Sequence, residues 1–148
     1  MISEHTKVVL NAFYIPFIAF MNFLKLDHVV LEMFALLLVI DMFTGIAKSL
    51  RLGIKPTSKR FSVGIISKLT LILIPIILSI AAKAININIS AVVYTAINAL
   101  ILNEVYSSIA NIYTIRTGKV VEEFDVLSKL LSVIKNFINR MLDDKNIS

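Results

Sequence analysis

Three ionisable side chains, Asp41, Lys68 and Glu104, stand inside long apolar stretches of the chain. A charge near the centre of a membrane-spanning helix costs about 2.5–3.5 kcal/mol unless it is partnered or wetted, so each is a candidate for function. Turning about 100° per residue places Asp41, Thr44, Gly45 and Lys48 on one helix face. The same arithmetic aligns Gly64, Lys68, Pro75 and Ser79, and gathers Asn103, Glu104, Ser107, Ser108 and Asn111 within less than half a circumference. One cation and two acids at similar depth can offset one another, with Lys48 just below them. Three chemistries follow. The seams can be glue, each interhelical hydrogen bond contributing about 0.6 kcal/mol on average. They can line water once subunits rearrange. They can relay a proton or ion through Asp41 and Glu104. Glu32 falls on the face opposite Asp41 and reads as a solvated end charge.

Thiolate and metal chemistry have no residues to work with. Cysteine is absent, and the two histidines, His5 and His28, stand far apart without ligand-like spacing, so no metal and no cofactor is expected. Of the 148 residues 57% are hydrophobic, above the roughly 45–50% usual for soluble domains. The excess lies in long blocks, which argues against an ordinary soluble enzyme. The net charge of +5 does not spread over a polar face; the cations flank the apolar blocks. They therefore read as topology signals and anionic-lipid contacts, not as a nucleic-acid surface.

The elements that must position the charges are helices. Residues 29–50 suffice, at about 1.5 Å per residue, to cross about 30 Å of hydrocarbon. They run into Lys48, Arg51, Lys55, Lys59 and Arg60 with no acid among them, the pattern of a cytoplasmic end. Gly53 and Pro56 stop this helix, and Thr57 with Ser58 can cap the next. Residues 64–82 are the clearest span, with a kink expected near Pro75. After a short external turn, residues 91–113 form another span, closed by Arg116, Thr117, Gly118 and Lys119. Residues 8–26 are apolar but carry Asn11, Pro16, Asn22 and Lys25; a first span and a helix lying in the interface both remain open.

The tail, residues 120–142, is amphipathic. Val120, Phe124, Leu127, Leu131, Ile134, Ile138 and Met141 are spaced 4, 3, 4, 3, 4, 3, a heptad seam that favours helix–helix association. A helix lying on the membrane is the alternative, since Val121, Leu130 and Phe137 widen the stripe. The expectation is an all-α integral membrane protein with three or four spans and a C-terminal amphipathic helix. Its parts are an N-terminal hydrophobic segment (residues 1–27), a transmembrane core (28–115) and a cytoplasmic helix (116–148).

The order of these pieces resembles a known family. Asp41-Met-Phe-Thr44-Gly45, a basic loop, Ser58-Lys59, Gly64-Ile-Ile-Ser-Lys68 and Asn103-Glu104-Val-Tyr-Ser107 through Asn111 to Gly118 are similar to the three-span phage lysis and toxin-secretion holins. The resemblance covers about half the chain. Ala110 stands where the family usually has an acid, and no Pro follows Gly118. The resemblance implies a multi-pass protein of the bacterial inner membrane, with a cytoplasmic C-terminus, that oligomerises with itself. It would then open lesions through which an endolysin or toxin acts, with no bond made or broken. The competing class is a structural anchor or docking subunit of a phage-like or secretion assembly, its tail holding the partner.

Overall fold

A computed structural model describes residues 4–55, 57–88, 90–122 and 124–145. Five helices account for the regular structure among them: α1 (Glu4–Phe23), α2 (His28–Arg51), α3 (Ser58–Ala84), α4 (Ser90–Thr117) and α5 (Val126–Lys145). Their ends follow from local chemistry. Asp27 caps α2 by accepting from the Val29 amide at 2.8 Å, and Thr57 caps α3 by accepting from the Arg60 amide at 3.3 Å. Gly53 (φ 72°) and Gly118 (φ 73°) take the left-handed conformation just past the ends of α2 and α4. Pro56, expected to help stop α2, lies outside the described residues.

Helices α2, α3 and α4 are long and apolar enough to cross a membrane. The apolar part of α1, Leu10–Phe23, is shorter than the roughly 30 Å of hydrocarbon requires. α1 joins the bundle at its last turn, where Met21, Leu24 and Leu26 pack with Leu31, Val93 and Ile97. Tyr14 donates to the Glu32 carboxylate at 3.1 Å, so Glu32 carries a partner. The Lys83 ammonium lies 3.8 Å from the centre of the Phe23 ring, beside the α3–α4 turn.

α4 is the central element and is backed by α2, α3 and α5. A second cluster, Phe34, Leu38, Ala96 and Leu100, fills the middle of the bundle. Large apolar side chains such as Phe43, Ile66, Leu69, Leu102 and Ile109 point outward, as a bundle immersed in lipid requires.

The tail differs from its expected form. Among the described residues, 119–122 and 124–125 are not helical, and α5 begins only at Val126. Asp125 accepts from the Ser128 amide at 3.0 Å and from its hydroxyl at 2.6 Å, a capping arrangement that starts the helix there. Val120 and Phe124 therefore lie off the helix, and the seven-residue seam cannot run unbroken from Val120. α5 turns back along α4. Val126 and Leu130 join the Phe34 cluster, and Phe137 packs on the Met21 cluster. Ile134 and Met141 are half-buried, whereas Leu127, Leu131 and Ile138 are exposed. The face turned inward is thus offset by one residue from most of the heptad seam.

Candidate functional site

Asp41 and Lys68 each lie ten residues from a helix end, at Arg51 and Ser58 respectively, which is about 15 Å of helix. That common depth lets the two meet. The Lys68 Nζ lies 2.7 Å from Asp41 Oδ2 and 2.5 Å from Glu104 Oε2, so one ammonium bridges α2, α3 and α4. Glu104 is wholly buried and Asp41 nearly so. Lys68 keeps 26% of its side chain exposed. In a medium of low dielectric such contacts are strong, and an unpaired member would be costly.

Amides and a hydroxyl complete the cluster. The Asn111 Nδ2 donates to Asp41 Oδ1 at 3.1 Å and to Thr44 Oγ1 at 3.3 Å. The Asn103 Nδ2 donates to Glu104 Oε1 at 3.3 Å. A Cβ on Gly45 would stand 3.8 Å from Asn111 Nδ2, so α2 and α4 approach closely here. Two acids against one lysine leave the cluster one charge negative, and these amide donors soften the imbalance.

Beside the cluster is a cavity of about 380 Å³. Asp41, Lys48, Lys68, Asn103, Ser107 and Asn111 line it from the helices. The chain after α4 closes its open side with Val121, Glu122 and Phe124. That strap is held by the Tyr106 hydroxyl, which donates to the Glu122 carbonyl at 2.9 Å, and by the Tyr106 and Phe124 rings, 6.3 Å apart. Ser108 is buried with its hydroxyl unpartnered in the structure.

The structure thus gathers Asp41, Thr44, Gly45, Lys68, Asn103, Glu104 and Asn111 into one site, with Lys48 and Ser107 on the adjoining cavity wall. Of the basic-loop cations, Lys55, Lys59 and Arg60 are exposed. Arg51 is not simply lipid-facing: its Nε donates to the Ile115 carbonyl at 3.1 Å and so satisfies the end of α4. The strap and its Tyr106 anchor escaped the sequence reading, because a continuous helix from Val120 would have carried those residues elsewhere. Thr114, fully buried, bonds back to the Ala110 carbonyl at 2.9 Å; a lone threonine near a helix end gave no signal of that. Among the described residues no group of three His, Cys, Asp or Glu is assembled that could hold a metal.

The model of the bacteriophage holin family matches residues 18–137, which take in α2, α3 and α4 whole and much of α5. No curated protein and no solved structure matches the chain.

Proposed function

The chain belongs to the bacteriophage holin family, and from that premise we propose that it oligomerises in the bacterial inner membrane and permeabilises it for lysis or protein release. The observation that carries this reading is the single ammonium of Lys68 shared by Asp41 and Glu104 across three apolar helices. A static bundle gains little from burying three charges, since well-packed apolar residues often serve equally well. A bundle that must later expose a polar surface has a use for them. In the closed assembly the charges satisfy one another. When subunits rearrange, Asp41, Lys68, Glu104 and the hydroxyls and amides beside them face water, while Leu102 and Ile109 stay in lipid. No bond is made or broken.

The basic end, with Lys55, Lys59 and Arg60, faces the cytoplasm in this reading. α5 moves as part of the change. Docked on α4, it turns Lys135 outward beside apolar spans, where acyl chains would cost about 2.5–3.5 kcal/mol for a lysine near mid-membrane. In the inserted protein α5 leaves for the cytoplasmic surface, and a neighbouring copy takes the α4 surface it vacates. The material released is an endolysin or a toxin, large cargo needing no carrier site.

The test is release of encapsulated dye from liposomes by the purified chain. Release that rises steeply with protein concentration is the expected result. Stable insertion without release would mark the chain as a structural anchor.

A further inference from the structure

At the basic end of the bundle α2 and α3 part to leave a cleft of about 240 Å³ that the charge cluster does not explain. Its walls are apolar, formed by Met42, Ile46, Ile54 and Phe61. On the α3 side it extends from Arg60 to Lys68, eight residues or about 12 Å of helix. Gly64 leaves it open, for a Cβ there would meet no heavy atom within 4 Å. The mouth carries Lys55, Thr57 and Arg60. Both cations are exposed, and among the described residues neither is in an ion pair. The deep end is closed by Asp41 and Lys68.

An elongated apolar slot with two unneutralised cations at its mouth has the charge and shape complement of one molecule available in any membrane, an anionic phospholipid. We infer that this cleft seats a single anionic phospholipid, its phosphate between Lys55 and Arg60 and one acyl chain along Gly64 toward Lys68. The first turn of α3, whose Arg60 amide is already taken by the Thr57 cap, adds the positive end of its dipole at the phosphate. The acyl chain lies against the stem of Lys68 and excludes water from that side of the charge cluster.

Native mass spectrometry of the full chain in detergent tests this, with phosphatidylglycerol and phosphatidylcholine of matched acyl chains as probes. The wild type should retain one phosphatidylglycerol per chain and favour it over phosphatidylcholine. Replacing both mouth cations (Lys55→Gln with Arg60→Gln) should weaken that retention about twenty-five-fold, the product of about fivefold per cation. Lys59→Gln, outside the cleft, should change it little. Gly64→Leu fills the slot and should abolish retention of either lipid. If the leucine disturbs α3, the cation pair against the Lys59 control decides the question alone. Equal retention of the two lipids, or full retention by Gly64→Leu, would overturn the inference. So would a Gly64→Leu chain that keeps its lipid but forms smaller oligomers, since the cleft would then hold a second copy.

Discussion

Lys68 is the residue on which the charge cluster depends, because it serves two acids and is the one cation paired with either among the described residues. Lys68→Met strands Asp41 and Glu104 together in the bundle, and a loss of roughly 3–5 kcal/mol is expected, the cost of breaking a buried pair. Glu104→Gln should be milder, since it leaves one acid against one base. Asp41→Asn falls between them, because Asp41 accepts from Asn111 on another helix, whereas Glu104 accepts from its chain neighbour Asn103. Thermal unfolding in detergent should rank them in that order; a Lys68→Met protein as stable as the Glu104→Gln one would show that the ammonium is not shared. Exchanging the partners, Asp41→Lys with Lys68→Asp, should restore part of what either single change loses. Much of this site was legible in the sequence. Each charge interrupts an apolar run at a similar distance from a cationic end, and helical arithmetic alone puts Asn111 on the face of Glu104. The bond from Asn111 to Asp41 was not legible, since it depends on how α2 and α4 are rotated against each other.

The elements were read with uneven success for a physical reason. α2, α3 and α4 are bounded by strong local signals, such as Thr57 before α3 and Gly118 after α4, and their ends fall close to expectation. The tail was misplaced because heptad spacing persists through Val120 and Phe124 whether or not the backbone is helical there. The stronger signal was Asp125 three residues before Ser128, a cap at the true start. Asp125→Ala should therefore fray the first turn of α5, seen as lost helicity by circular dichroism. Those hydrogen bonds from Ser128 hold the Asp125 carboxyl below its ordinary range. Its contribution is present above that range and is lost as pH falls through the depressed value. Helicity of α5 should be flat from pH 8 to about pH 5 and drop only in stronger acid. Two faces of α5 can be separated as well. Leu130→Asp should undock it from α4, whereas Leu127→Asp with Leu131→Asp, on the exposed face, should shrink the oligomer and leave the fold intact. An unchanged oligomer after the double substitution would show that α5, once on the cytoplasmic surface, takes no part in holding the subunits together.

In the proposed function three spans, a shared buried ammonium and a polar cavity act as one device that turns from dry to wet. Orientation comes first: Lys59→Cys should escape a membrane-impermeant thiol reagent added outside intact cells, and its modification there would invert the topology. The chain has no cysteine of its own, so introduced thiols report without background. That property gives the most direct test of the central claim. Ser107 lines the polar cavity, while Leu102 points its side chain outward from α4. In liposomes, Ser107→Cys should be protected from a water-soluble thiol reagent before dye escapes and modified once it does, and Leu102→Cys should stay unmodified throughout. Dye release with Ser107→Cys still protected would contradict the account, because the lesion would then be lined by something other than this seam.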